Sequence, residues 1–227
     1  MTYNNSEQAV GQGRQILARV FAFMAAAVAL SGFTAVAVAQ NPEILTRSPW
    51  IFPFLMIAQL ATVIALSWGI SSMSYMTAQL LFIVYSVLTG ATLSVIFQVY
   101  QLGSIVQIFF IAAAMFGGMA VYGMYTKTDL SRYRSILLMT LFGLIIALLV
   151  NIFLRSSMVD MISAGIGVLL FSALTAFDIQ NIQRLTASLL VRDEDWQKIA
   201  LIGALQLYLD FINLFLSLLR LFGKQKN

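Results

Sequence analysis

Two carboxylates stand well inside apolar stretches of this chain: Asp178 in LLFSALTAFDIQNIQ and Asp210 in LYLDFINLFLSLLRLFG. An ionised carboxylate at the middle of a bilayer costs at least ~2.5–3.5 kcal/mol on insertion scales, so each must face a protein interior and find a partner. The chemistry open to two such groups in contact is proton sharing. A low-dielectric interior does not let both ionise cheaply, so they hold one proton between them and titrate as a pair. With that proton gone, the crowded oxygens repel one another and attract a hard cation, of which calcium is the typical oxygen-seeking case. A pair of this kind either ties two helices together or acts as a pH-sensitive latch on an ion path. Intramembrane acids mark ion and proton paths unusually often, which favours the second reading.

The elements that carry the two residues can bring them together. Two antiparallel helices joined by a hairpin place residues equidistant from the turn at equal depth. The midpoint of 178 and 210 is position 194, inside RDED, the most polar part of the intervening connection. Around Asp210, the residues Gly203, Gln206, Asn213, Ser217 and Arg220 recur at spacings of three and four, which puts them on one helical face. Such a polar and small stripe belongs against protein or a hydrated path, not lipid. Asp178 shares its own face with Gly167, Phe171, Thr175 and Asn181, a less polar mixture that still allows close packing.

The rest of the chain explains why those helices lie in a membrane. Apolar residues make up 60% of it and charged residues only 10%, against about a quarter charged in a soluble domain. Seven apolar segments are expected, at about 17–39, 51–70, 79–100, 105–125, 135–154, 161–183 and 198–221. Each reaches the roughly 20 helical residues that cross ~30 Å of hydrocarbon. The organisation predicted is a polar tail over 1–16, one seven-helix transmembrane domain over 17–223 and a short basic tail over 224–227. The tail MTYNNSEQAVGQGRQI lacks a signal-peptide pattern, so the first segment is expected to remain as a span. Arg14, Arg19, Lys127, Arg132, Arg134, Arg184, Arg192 and Lys198 fall on the side of the N-terminus and the even-numbered connections, against Arg47, Arg155, Arg220, Lys224 and Lys226 on the other. That bias predicts a cytoplasmic N-terminus and, after seven spans, a C-terminus on the outer side. The basic ending GKQKN argues the other way, and a re-entrant last segment would return it to the cytoplasm.

The sequence holds neither cysteine nor histidine, which removes disulfides, thiolate nucleophiles, catalytic imidazoles and the usual zinc ligands. No cofactor is called for, and no nucleotide loop or nucleophile motif points to an enzyme. The net charge of +4 is spread singly over loops and tails and suits a membrane surface, not nucleic acid. Lys127, Arg132 and Arg134 are expected to anchor a loop on anionic lipid. Asp193, Glu194 and Asp195 read as a solvated acidic turn without the ligand spacing of an EF-hand. Gln59, Thr89 and Thr92 are expected to make hydrogen bonds between helices. Gly117, Gly118, Gly123, Ala164, Gly165 and Gly167 are read as sites of close helix packing.

The stretches LTGATLS (88–94), YGMYTKTDLS (122–131), TAFDIQNI (175–182) and ALQLYLDFINLFLSLLRLFG (204–223) resemble the Bax inhibitor-1 family, and most closely its bacterial inner-membrane members. The resemblance implies an all-α membrane protein, a seven-transmembrane-helix bundle with the last helix central. It implies a calcium leak in which two aspartates, matching Asp178 and Asp210, form the pH-sensing pair and meet the ion transiently. Some relatives carry an arginine at the end of the second span that latches onto the first aspartate. Here WGISSMSYMTAQ (68–79) has no basic residue, so such a latch needs another donor or is absent. The expected function is therefore a pH-sensitive calcium-permeable channel. The alternatives are a non-transporting partner of stress-response or membrane-protease proteins and a proton-coupled exchanger.

Overall fold

The computed structural model describes residues 2–70, 72–188 and 193–226. In hydrocarbon every peptide group must be satisfied within the chain, so apolar runs of this length become helices. The described residues form α1 (Thr2–Ala39), α2 (Glu43–Thr46), α3 (Ile51–Gly69), α4 (Tyr75–Leu93), α5 (Ile96–Val99), α6 (Leu102–Tyr125), α7 (Arg134–Leu154), α8 (Ser157–Ser188) and α9 (Asp193–Phe222), with a 3-10 turn at Leu130–Tyr133. Seven segments are long and apolar enough to span: Gln15–Ala39, Ile51–Gly69, Tyr75–Val99, Leu102–Tyr125, Leu130–Leu154, Ser157–Thr186 and Trp196–Phe222. They fall within a few residues of the boundaries expected from hydropathy.

Four local features differ from that expectation. The third span is interrupted at Ser94 and Val95, between α4 and α5. The hydroxyls of Thr89, Thr92 and Ser94 bond to the carbonyls of Tyr85, Thr89 and Ala91, and side-chain bonds of this kind compete with the helical ladder. The connection expected at RSSMVD shrinks to Arg155 and Ser156, because α8 begins at Ser157 and takes Asp160 into its first turn. There a carboxylate is favoured by the helix dipole. Asp193, Glu194 and Asp195 open α9 and do not form a loop, which the same preference for acids at a helix N-terminus explains; their side chains lie outside the described residues. The polar N-terminal segment is also helical from Thr2 onward, so α1 extends well beyond its span.

The chain divides into two compact units. One takes the residues up to Val99 with Leu185–Tyr208 and Lys226, and the other takes Tyr100–Arg184 with Leu209–Gln225. In the first, α4 packs against α1 and α3. At Gly90 a side chain would strike the backbone of Ser31, so glycine is what lets α1 and α4 touch. In the second, Phe109 and Phe116 of α6 meet Phe211 and Phe215 of α9 edge to face. α3 and α7 each bury a single residue, Leu66 and Leu144, and present rows such as Phe54, Ile57 and Leu60 or Phe142, Ile146 and Leu149 outward. Those rows are the lipid faces. α9 is the most buried of the seven: 67% of its most apolar window is covered, against 6% for α3 and α7.

The C-terminal tail lies against the start of the fourth span. In the second unit Gln101 N–H donates to Lys224 O and Lys224 N–H to Ser104 Oγ, both at 2.9 Å. In the first, Lys226 N–H donates to Val99 O at 2.9 Å. The tail thus lies along the connection between the third and fourth spans, the side that an odd number of crossings requires. α9 runs without a break into that tail, as a full seventh span does.

Candidate functional site

α8 and α9 bring Asp178 and Asp210 together. Both are buried, at 9% and 5% exposure, and their carboxyl groups face each other closely enough to interact directly. A hydrogen bond between two carboxyls needs a proton on one of them, so two carboxyls that meet this way are able to share one. The hairpin count that suggested the contact placed its centre too late. Asp178 lies ten residues before the end of α8 at Ser188, and Asp210 lies seventeen after the start of α9 at Asp193. The arms are unequal, and the pairing rests on helix packing, not on counting from the turn.

Two glycines permit that packing. A Cβ on Gly123 of α6 would sit on the backbone of Ala176, two residues before Asp178, and one on Gly167 of α8 would strike the Ser217 hydroxyl of α9. Gly117, Gly118 and Gly165 have nothing within 4 Å of that position. The six small residues therefore do not act alike. Where lipid tails are as apolar as leucine, burial alone holds helices together weakly, and close approach and polar contacts matter more.

The stripe on α9 resolves into two rows. Gly203, Asp210 and Ser217 are buried, whereas Gln206, Asn213 and Arg220 are half-buried. Asn213 Nδ2 donates to Leu209 O of its own helix at 2.8 Å. Arg220 reaches Asp160 of α8 at 3.5 Å; ten residues, or about 15 Å of helix, separate it from Asp210. It is no partner of the pair. Sequence reasoning missed Asp160, which it assigned to a connection; the acid at the start of a helix was the available signal. Among the described residues, Asp210 Oδ2 and the hydroxyls of Ser172 and Ser217 are buried without a protein hydrogen-bond partner, and each such group costs about 1–3 kcal/mol.

Among the described residues no three acidic side chains gather as a metal site. The pair supplies at most four oxygens, short of the six to eight that calcium takes.

Beyond Asp178, α8 fastens the connection between the fourth and fifth spans. Gln180 Nε2 donates to Thr128 O at 2.8 Å and its Oε1 accepts from Leu130 N–H at 2.9 Å. Arg184 meets Asp129 at 2.6 Å. The Ser131 hydroxyl, the Arg184 guanidinium and the Ser131 N–H hold the Asp129 carboxyl down at about 2. A lowered carboxyl contributes stability above its ordinary range and loses it as pH falls from about 4 toward 2. Asp129→Asn at pH 6 is expected to speed amide exchange at Leu130 and Ser131 several-fold. Acidification of the wild type to about pH 2 should do the same once intrinsic rates are corrected; unchanged exchange in the variant would dissociate this ion pair from the loop's order.

Seven apolar helices with a carboxyl pair buried between the last two define a polytopic membrane protein with an intramembrane acid pair. The chain belongs to the Bax inhibitor-1 family: the family described as inhibitor of apoptosis-promoting Bax1 matches residues 13–227. It is 43% identical over 216 residues to a protein of Borreliella burgdorferi, covering 94% of this chain and 93% of that one. It is 42% identical over 214 residues to the inner membrane protein YbhL of Escherichia coli K12, covering 92% of each. A Deinococcus radiodurans protein is 38% identical over 215 residues, 95% of this chain and 93% of the other.

Proposed function

We propose that this protein is a pH-sensitive calcium-permeable leak of the bacterial inner membrane, with Asp178 and Asp210 controlling permeation. The observation that carries the reading is the direct approach of two buried carboxyl groups across α8 and α9. While they share a proton, the contact draws the helices together. Without it, two unit charges about 4 Å apart repel by about 4 kcal/mol at an effective dielectric of 20. The pair then separates or takes up a cation. The unpartnered oxygens of Asp210, Ser172 and Ser217 support the reading, since buried polar atoms of this kind are where water or an ion gains most. The name of the Escherichia coli relative supports the inner membrane, and the charge bias a cytoplasmic N-terminus.

The extension of α1 beyond its span, as a polar helix from Thr2, favours a second reading: a non-transporting protein that binds a membrane partner through this segment. Liposomes loaded with a calcium dye separate the two. Influx above that of protein-free liposomes between about pH 6 and 8 is the expected result. No excess influx at any pH would leave the binding protein, whose partner should be lost on deleting the first 16 residues.

A further inference from the structure

The acid pair leaves unused a second polar assembly, buried in the first unit. Tyr208 of α9 is fully buried, and its hydroxyl lies 2.7 Å from Ser31 Oγ of α1. Ser31 Oγ also lies 2.9 Å from Ala27 O and 2.7 Å from Ser86 O of α4. A serine hydroxyl has one proton, and two carbonyls compete for it here. With the Ser31 proton directed to a carbonyl, the Tyr208 hydroxyl is free to donate to Ser31 Oγ. The same hydroxyl faces Thr89 of α4, which accepts from Gln59 Nε2 of α3 at 3.0 Å. Gln59 Oε1 in turn accepts from Thr92 at 3.1 Å. The Tyr208 ring is gripped edge-on by Phe82 and Tyr85. Four helices, α1, α3, α4 and α9, thus meet in one polar chain that ends on Tyr208.

Tyr208 and Asp210 are two residues apart, so they project about 200° apart around α9. A rotation of about 30° moves an atom at the side-chain radius, about 5–6 Å from the axis, by about 3 Å. That is the length of a hydrogen bond. A turn of α9 that pulls the Tyr208 hydroxyl from Ser31 therefore also swings Asp210, two residues on in the same helix, through a comparable distance. We propose that Tyr208 is a positioning residue: through its bond to Ser31 it fixes the rotation of α9 and so holds Asp210 against Asp178. This rests on the reading of the acid pair as the pH-sensing element. The titratable groups that face the two ends of this arrangement are Tyr85 toward Tyr208 and Asp178 toward Asp210.

Tyr208→Phe tests the proposal, because it keeps the ring and both Ser31 carbonyl contacts and deletes only the tie to α9. Thr92→Val is the control, since it cuts the far end of the same chain without touching Tyr208. Two readouts apply to the full chain in liposomes: the pH midpoint of calcium influx, and the infrared C=O band of the protonated aspartate, assigned by its loss in Asp210→Asn. Tyr208→Phe is expected to shift the midpoint by at least about half a unit, a threefold change in proton affinity, and to move or broaden the band. Thr92→Val should alter neither. An unmoved band and midpoint in Tyr208→Phe would overturn the proposal, as would equal shifts in the control. If the wild type carries no calcium, the band decides alone: a shift upholds the positioning role while the leak reading falls, and no shift ends both. If Tyr208→Phe does not fold, Ser31→Ala removes the same acceptor, and an unchanged band there would overturn the role.

Discussion

Gly123→Ala is expected to destabilise the protein by about 1–3 kcal/mol or more, the range for forcing atoms into a filled interior. The added Cβ would meet three atoms of the Ala176 backbone, its oxygen, Cα and carbonyl carbon, all within 3.0 Å. Backbone atoms in the middle of α8 cannot swing aside as the end of a flexible side chain does, so α6 and α8 must separate. The separation falls two residues from Asp178, and the acid contact should loosen with it. Gly118→Ala on the same helix is the internal comparison. Its Cβ meets nothing within 4 Å, and replacing glycine by alanine in a helix gains up to about 1 kcal/mol. Thermal unfolding in mild detergent should therefore show opposite signs for two identical substitutions five residues apart. Equal behaviour would mean that the α6–α8 contact is not close.

The second large effect concerns the acid pair itself. Asp178→Leu removes the hydrogen-bond partner of Asp210, whose Oδ2 is already unpartnered. A buried carboxyl with neither oxygen satisfied costs about 1–3 kcal/mol when neutral and more when charged. Asp210→Leu should cost a similar amount by stranding Asp178. In the double variant nothing is stranded, so its loss should be smaller than the sum of the two by about 0.5–3 kcal/mol, the range of coupling for residues in contact. Additive losses in such a cycle would show that the two side chains do not interact.

Much of this architecture was legible because a membrane imposes one strong signal. Seven apolar runs became seven spans, since no other backbone arrangement satisfies their peptide groups in lipid. The isolation of Asp178 and Asp210 in such runs made their pairing readable, and Gln59 does bond to Thr89 and Thr92 as expected. What stayed hidden depends on which face of a helix meets which neighbour. α9 is buried nearly all round, so periodicity separates its polar stripe from its apolar residues but does not reveal that Tyr208 ends in a polar contact. Glycines at 117, 118, 123, 165 and 167 look alike in sequence, yet only the contacts of 123 and 167 forbid a side chain. The break at Ser94 was missed, and the one at RSSMVD was read as longer than it is, because serine and threonine bond equally well to helix carbonyls and at helix ends.

The claim at the centre is that Asp178 and Asp210 together sense pH and control calcium passage. Its most direct measurement is calcium influx into dye-loaded liposomes from about pH 6 to 8, for the wild type and Asp210→Asn side by side. The flux is expected to vary with pH in the wild type and to be pH-independent in Asp210→Asn, because an amide cannot lose the shared proton. A variant whose flux follows the same pH curve as the wild type would contradict it and leave the two aspartates as a tie between helices.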